Sequence, residues 1–339
     1  MKMRVHITSL YGMMGVVGVS QRRTAEIGRQ LGFNELGIFR YPVESDTDVE
    51  LSKRYDGISA GIGSGDIVIY QSPTFNGTKF DDYFITNLRW RYGQSVKVII
   101  FVEDIVPMMY QGNEYLFPQV IDMYNKAHAL IVASENMKEY LIEKGVVNPK
   151  IYVQNLWDLP EKVDISITPK FMKRISFTGN DGKFGIMDAF PESDVALEVY
   201  GSDKREDVPQ NINFNPFISD EHVLLNKLRE GGFGLVWAEN EHVRNYMHYC
   251  NSYKVSTYLR AGIPVIAHKS ISCAKLLEKN HWGILADTLE EAVDIIDNMS
   301  DEEYQKYIES VGKVGFLLEN GYFTKKVLNE AIYGLYVDD

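Results

Sequence analysis

The chain alternates short apolar runs with longer segments in which apolar residues recur at helical spacing. Apolar runs bounded by turn residues are typical of buried strands in a parallel sheet, and the amphipathic segments between them are typical of crossover helices. In the first half of the chain, this pattern predicts strands at residues 3–10, 35–41, 66–71, 96–103, 129–133 and 151–155. It predicts helices at residues 21–32, 49–62, 80–92, 115–126 and 135–144, the first of them capped by Ser20.

The alternation stops near residues 156–160 and begins again after a stretch of mixed charge that contains prolines. The second half predicts strands at 174–178, 196–200, 233–237, 264–268 and 283–286, and helices at 219–230, 252–261, 271–280, 289–298, 301–311 and 324–333. Two consecutive alternations of this kind predict an α/β protein with two Rossmann-like, doubly wound domains.

The predicted domains are an N-terminal domain of residues 1–157 and a C-terminal domain of residues 158–317. The last helix, at about residues 318–339, is expected to pack back on the first domain. Open α/β sheets bind ligands at the carboxyl ends of their strands. We therefore expect the functional residues to follow strands and to line a cleft between the two domains.

Composition narrows the class of protein. With 339 residues, 45% of them hydrophobic and 24% charged, the chain is of ordinary globular composition. A net charge of −12 with scattered basic residues disfavours nucleic acid as a partner. The two cysteines, Cys250 and Cys273, and the absence of a long apolar stretch predict a cytoplasmic protein without a membrane span. The histidines lack metal-ligand spacing, so neither a metal nor another cofactor is expected.

The strongest candidate site lies in the segment 251–266, where a predicted helix begins at Ser252 and carries Lys254 in its first turn. Unpaired amides at a helix start, together with a cation, suit an anion such as a phosphate. Ser252, Tyr253 and Lys254 are therefore predicted to bind a phosphate group, with Lys254 as a catalytic residue. The alternative is a solvated lysine on a surface helix.

The turn after the first strand of the second half is a candidate for the same ligand. Thr178, Gly179, Asn180 and Lys183 offer hydrogen-bond donors and a cation directly after that strand. An ordinary turn with a surface lysine explains these residues equally well. Tyr200 ends the following strand and is assigned to stacking on a base or sugar, although core packing is the commoner role of such a residue.

A glycine-rich loop, residues 12–18, follows the first strand of the chain. Glycines at this place let the backbone approach a ligand closely, as in dinucleotide-binding folds, although the spacing is not G-x-G-x-x-G. We assign these residues to ligand contact: in a two-domain transferase, Gly18 would contact the donor of the transferred group, and Gly15 and Ser20 its acceptor. A mobile loop without ligand contact is an equally good interpretation.

Polar residues also follow two further strands of the first half. Glu103 and Asp104 come after an apolar strand, and a carboxylate there suits a general base or an anchor for an acceptor sugar. The alternative for Asp104 is to cap the following turn. Ser72 and Thr74 lie in the loop after the strand at 66–71 and are assigned to the acceptor, although such residues also form ordinary loops.

The segment SYK at 252–254, together with AGIPVI at 261–266, resembles the donor-site helix of GT-B glycosyltransferases. More narrowly, the chain resembles the glucosyltransferase 3-like (nucleotide sugar synthetase-like) enzymes of accessory-secretion loci, which extend N-acetylglucosamine on serine-rich repeat adhesins. The narrower resemblance rests on motifs spread over nearly the whole chain: LGI at 36–38, ELSKR at 50–54, DGI at 56–58, SPT at 72–74, DIVP at 104–107, WD at 157–158, GGFGLVW at 231–237 and GYFT at 321–324.

The resemblance implies the GT-B fold and transfer of glucose from UDP-glucose to a GlcNAc-modified, serine-rich protein. It places Lys254, Tyr253 and Lys183 near the donor diphosphate, and implies a homo-oligomer, dimer or tetramer, with no required metal. Two departures stand out: Thr257 occupies the position of a glutamate that holds the ribose in many GT-B enzymes, and Glu103 replaces a typical histidine. A galactofuranosyl or other hexosyl transferase of surface polysaccharide assembly, and a non-catalytic partner subunit, therefore stay open.

Overall fold

The computed structural model describes residues 3–337, and the chain divides into two compact units. Unit 1 comprises Met1–Asn155 together with Phe323–Asp339, and unit 2 comprises Leu156–Tyr322. Each unit is built on a six-stranded parallel sheet flanked by helices. The prediction of two doubly wound α/β domains is confirmed.

The strands of unit 1 lie in the order β2-β1-β3-β4-β5-β6. They are β1 (Val5–Tyr11), β2 (Asn34–Phe39), β3 (Ile67–Ser72), β4 (Lys97–Val102), β5 (Ala129–Val132) and β6 (Ile151–Val153). The helices between them are α1 (Val16–Gln30), α2 (Asp48–Ser59), α3 (Thr78–Tyr92), α4 (Val106–Met109), α5 (Phe117–Asn125) and α6 (Glu135–Glu143), with short 3-10 turns at Val43–Ser45 and Glu114–Leu116.

The strands of unit 2 lie in the order β12-β11-β10-β7-β8-β9. They are β7 (Lys170–Thr178), β8 (Ala196–Tyr200), β9 (Ile212–Asn215), β10 (Gly231–Val236), β11 (Val265–His268) and β12 (Gly283–Ala286). The helices are α7 (Asp181–Phe184), α8 (Glu221–Leu228), α9 (Glu241–Tyr249), α10 (Tyr253–Ala261), α11 (Ala274–Asn280), α12 (Leu289–Asp297) and α13 (Asp301–Glu319). Within residues 3–337, no helix combines the length and the apolarity that a membrane crossing requires.

The last helix, α14 (Tyr322–Tyr333), packs in unit 1 beside the edge strand β6. The amide of Gln154 donates to the hydroxyl of Thr324 at 2.9 Å, and Nζ of Lys150 donates to the carbonyl of Gly334 at 2.6 Å. These bonds join the beginning and the end of β6 to residues near the two ends of α14. The C-terminal segment thus covers an edge that would otherwise be exposed.

The central strands of both sheets are buried along their length. Every residue of β3 and of β10 is buried, as expected for parallel strands that are covered on both faces. This explains why these strands read as continuous apolar runs in the sequence, and why their positions could be predicted.

The first helix begins earlier than predicted. It starts at Val16, with Gly15 at the N-cap position and a φ of 83°, so Ser20 lies inside α1 and the prediction that Ser20 caps this helix is wrong. The low helix propensity of glycine concealed the first turn. Gly18 is required by packing, because a Cβ there would lie 2.4 Å from the carbonyl oxygen of Met13.

Candidate functional site

Helix α10 delivers a cation to the carboxyl edge of the sheet in unit 2. Ser252 occupies the N-cap position as predicted, but its side chain does not cap the helix, and the first turn contains no acidic residue. Gly262 ends the helix with a φ of 86°, in the left-handed region that favours glycine. The start of α10 is therefore not capped by the Ser252 side chain, and it lies next to Lys254.

The ammonium group of Lys254 lies among aromatic rings rather than beside a carboxylate. Its Nζ is 4.4 Å from the centre of the Phe184 ring and 5.7 Å from that of Phe177. Gly179 leaves room for this side chain, because a Cβ at that residue would lie 3.3 Å from Cε of Lys254. Within residues 3–337, no acidic side chain forms an ion pair with Lys254. A cation without a counter-ion is expected to attract an anion.

The pKa of Lys254 reflects this environment. Burial and, to a smaller extent, the positive charge of Lys183 together lower this pKa to about 8. Lys183 lies in α7, with its Nζ 5.6 Å from the centre of the same Phe184 ring. The structure thus brings together Lys254 and Lys183, which are separated by 71 positions in the sequence. Bound negative charge between them would favour the charged form of both.

The loop around α7, residues 179–187, is held in place by a residue that the sequence analysis missed. Asp181 is buried, and its carboxylate accepts hydrogen bonds from the amides of Ile186 at 2.6 Å and Met187 at 3.2 Å. Asn180 caps α7 by accepting a bond from the amide of Gly182 at 2.9 Å. This loop is therefore fixed before any ligand binds, and Asn180 is engaged in shaping it.

Tyr258 is a second residue that sequence reasoning missed. It lies on α10 and is fully buried, and its hydroxyl is 3.1 Å from the amide nitrogen of Thr178 and 3.2 Å from Oγ1 of Thr178. Its ring covers Gly234 in β10 so closely that a Cβ there would lie 1.9 Å from the ring. Tyr258 therefore joins α10 to two neighbouring strands.

Two tyrosines assigned to the donor have other contacts in unit 2. The hydroxyl of Tyr253 donates to the carbonyl of Asp158 at 3.2 Å, which fixes the start of α10 to the segment before β7. Tyr200 is only 4% exposed. Most of this ring is packed within the protein, and its assignment to stacking on a base or sugar stays a prediction.

In unit 1, the structure brings together three of the residues assigned to the acceptor and to catalysis. The hydroxyl of Ser20 donates to Oε2 of Glu103, and the amide of Glu103 donates to the carbonyl of Ser72 at 2.9 Å. Burial, assisted by the neighbouring charge of Asp104, raises the pKa of Glu103 to about 8. At neutral pH, Glu103 therefore carries a proton, which suits a hydrogen-bonding anchor better than a general base.

The proton on Glu103 predicts how stability depends on pH. The folded protein holds this proton up to about pH 8, whereas the unfolded chain releases it near the ordinary glutamate pKa of about 4.3. Stability from this group therefore falls as the pH rises between these values, by up to about 1.4 kcal/mol per pH unit. We expect Glu103→Gln to gain stability relative to the wild type from pH 5.5 to 7.5 in urea unfolding. Parallel pH profiles for the two proteins would contradict this.

The loop after β3 is organised by an internal carboxylate. The hydroxyl of Thr74 donates to Asp81, the Thr74 amide lies 3.3 Å from Oδ2 of Asp81, and the hydroxyl of Tyr70 donates to Oδ1 at 2.9 Å. Burial raises the pKa of Asp81 to about 6. Thr74 and Ser72 are 1% and 2% exposed, and Thr74 helps to shape this loop. Their assignment to acceptor contact stays a prediction.

The remaining residues of unit 1 that were assigned to a ligand or to catalysis differ in how exposed they are. At Gly15, no atom lies within 4 Å of where a Cβ would be, so the backbone is open at this point. Gly18, which was assigned to the donor, is buried in α1 and serves packing. Asp104 is partly exposed and precedes Ile105, the N-cap residue of α4, so Asp104 is not itself the cap.

No group of three or more histidine, cysteine or carboxylate side chains that could hold a metal ion occurs among residues 3–337. The cations at the candidate donor site are instead lysines.

Comparisons with known proteins identify the family. Residues 4–156 match the N-terminal domain and residues 175–331 the C-terminal domain of the glucosyltransferase 3-like family. The chain is 40% identical to glucosyltransferase 3 of Streptococcus gordonii over 97% of this chain and 98% of that protein, and 35% identical to glucosyltransferase 3 of Streptococcus parasanguinis over 98% of both. Its fold is similar to that of HepE of Anabaena, solved in complex with UDP and glucose, with a TM-score of 0.66 at 12% identity, covering 97% of this chain and 99% of HepE. The chain therefore belongs to the glucosyltransferase 3-like family and is a glycosyltransferase with the GT-B fold.

Proposed function

We propose that the chain transfers glucose from UDP-glucose to N-acetylglucosamine on a serine-rich glycoprotein. The observation that carries the donor class is Lys254, a cation without a counter-ion among residues 3–337, which lies beside Lys183 in the first turn of α10. A diphosphate presents the complementary charge. Uridine and glucose as the two ends of the donor are supported by two relatives named glucosyltransferase 3 and by a structural neighbour solved with UDP and glucose.

The chemistry follows from where charge develops. Transfer breaks the bond between the anomeric carbon and the donor diphosphate, so negative charge accumulates on the leaving phosphate oxygens. Lys254, Lys183 and the first amides of α10 stabilise that charge, which is the contribution that fixed cations and dipoles make to such reactions. In this proposal, the lysines do what a divalent metal does in other transferases, and no metal is required.

On the acceptor side, Glu103 is the residue with distinctive chemistry. It is buried, it receives a hydrogen bond from Ser20, and burial keeps its pKa high. We propose that Glu103, as a neutral acid, anchors the acceptor region. Gly15, in the glycine-rich loop, would offer open backbone to the acceptor. Asp104, which is partly exposed, is then the better candidate for accepting the proton of the attacking hydroxyl.

The experiment compares donors and acceptors directly. The purified chain is incubated with UDP-glucose, UDP-galactose or UDP-GlcNAc and a serine-rich peptide, with and without a single GlcNAc, and the products are analysed by mass spectrometry. We expect addition of one hexose only with UDP-glucose and only on the GlcNAc-bearing peptide. Transfer to the unmodified peptide, or no transfer from any donor, would contradict the proposal.

A galactofuranosyl or other hexosyl transferase is the second candidate function. The observation that favours it is a similarity of 26% identity, over 67% of this chain and 71% of the relative, to the β-1,6-galactofuranosyltransferase WbbI of Escherichia coli K12. The same assay with UDP-galactofuranose on a glycan acceptor separates the candidates.

We also propose that the protein assembles as a homo-oligomer. Light scattering on the purified chain tests this.

The pKa of Lys254 predicts how donor affinity depends on pH. An anion bound beside Lys254 favours its charged form, which predominates below pH 8 in the free protein. We expect the dissociation constant of UDP to be constant near pH 7 and to increase above pH 8, approaching about tenfold per pH unit. Titrations from pH 7 to 9.5 check this, and the increase should be absent in Lys254→Arg, because arginine keeps its charge over this range.

A further inference from the structure

Tyr258 occupies a distinctive position between the helix and the loop of the donor site. It lies one helical turn after Lys254, so the two side chains share a face of α10. The side chain of Tyr258 is fully buried, and its hydroxyl ends at the last residue of β7. The ring has little freedom, because it lies directly over Gly234, where no side chain could be accommodated.

One of the two hydrogen bonds at this hydroxyl has a fixed direction, and it leaves the Tyr258 proton for the other. The amide N–H of Thr178 can only donate, so the Tyr258 oxygen accepts at 3.1 Å. The proton of Tyr258 is then free to be donated to Oγ1 of Thr178, 3.2 Å away. Once Oγ1 of Thr178 accepts that bond, its own proton must point to a third group. Thr178 is partly exposed and precedes Gly179, which lies against the Lys254 side chain.

We propose that Tyr258 is a positioning residue that turns the hydroxyl of Thr178 into a hydrogen-bond donor toward the donor diphosphate. The order of donation runs from the Thr178 amide to the Tyr258 oxygen, from the Tyr258 hydroxyl to Thr178 Oγ1, and from Thr178 to a phosphate oxygen. Hydrogen bonds in such a chain strengthen one another, and the last one, to an anion, is the strongest. The inference rests on the proposed function, in which Lys254 binds this diphosphate.

The test compares two buried tyrosines of unit 2 whose hydroxyls form hydrogen bonds with different groups. Tyr258→Phe keeps the ring over Gly234 and removes the relay. Tyr304→Phe is the matched control: Tyr304 is also fully buried, and its hydroxyl donates to the carbonyl of Gly232 at 2.8 Å. We expect Tyr258→Phe to weaken UDP binding about tenfold, as for loss of a bond to a charged group. Tyr304→Phe should lower the melting temperature comparably without changing UDP affinity.

A double-mutant cycle separates the relay from a general packing effect. Thr178→Val removes the terminal donor, and we expect it to weaken UDP binding about as much as Tyr258→Phe does. The double variant should bind no more than about threefold more weakly than Thr178→Val alone, because the two changes interrupt one chain. Thr178→Ser should restore tight binding that again depends on Tyr258.

Outcomes that overturn this inference are unchanged UDP affinity in Tyr258→Phe, or fully additive losses in the double variant. They are distinguishable from failure of the proposed function. If Lys254→Ala abolishes UDP binding while Tyr258→Phe does not weaken it, only the positioning role is wrong. If Lys254→Ala leaves UDP binding intact, the donor site itself is wrong. Because Thr178→Val acts at the partly exposed end of the chain, it keeps the test informative even if Tyr258→Phe folds poorly.

Discussion

Replacing Lys254 with alanine is expected to lower kcat/KM by about 100-fold to 1,000-fold, the effect of removing one group that stabilises charge in a transition state. The reason is that Lys254 has no counter-ion among residues 3–337, so its charge is available to the leaving diphosphate. Lys254→Arg should recover part of the activity, since the charge is kept but the longer planar group fits less well beside Phe184.

The matched control for this substitution is Lys275→Ala, which removes an exposed lysine of α11 in the same unit. Its kcat/KM should be close to that of the wild type. Circular dichroism and thermal unfolding establish that both variants are folded. Full activity in a folded Lys254→Ala protein would remove this residue from the mechanism.

Replacing Gly234 with alanine is expected to destabilise unit 2 by about 3 kcal/mol or more, at the upper end of what overpacking a core produces. A methyl group there would lie 1.9 Å from the Tyr258 ring, far inside contact distance. The ring cannot swing aside cheaply, because Tyr258 is fully buried and its hydroxyl is bonded to Thr178. Urea unfolding at equilibrium measures the change.

Gly312→Ala is the control, with the same chemical change and the opposite expected sign. Gly312 lies in α13, and no atom lies within 4 Å of the position that a Cβ would take. Alanine is the better helix former, so a gain of up to about 1 kcal/mol is expected. If Gly234→Ala were as stable as the wild type, the packing of Tyr258 on β10 would have to differ from that described.

The alternation of strands and helices could be predicted because parallel strands buried on both faces leave apolar runs in the sequence. Elements without that pattern were not predicted. Strand β9 is four residues long and only one of them is buried, and α9 consists largely of polar and aromatic residues. The start of α1 escaped because Gly15 and Gly18 look like a loop, whereas Gly18 is a helical residue selected by close packing.

The candidate site was predictable only in part. Lys254 stood out because a lysine in the first turn of a helix is unfavourable without an anion. Tyr258, Gly234 and Asp181 could not be found, because their roles depend on contacts between segments that are distant in the sequence. Polar residues at strand ends were ambiguous for a related reason: such a side chain either faces a ligand or, like Thr74, satisfies the buried groups of its own loop.

The measurement that tests the central claim most directly is a calorimetric titration of UDP into the full-length chain, its Lys254→Ala variant and its Lys275→Ala variant at pH 7. We predict saturable binding of one UDP per chain to the wild type and to Lys275→Ala, and a loss of affinity of at least about 100-fold in Lys254→Ala, in line with removal of a charge-assisted contact in a partly buried site. Equal UDP affinity in all three folded proteins, or no binding to the wild type, would contradict the assignment of the donor site.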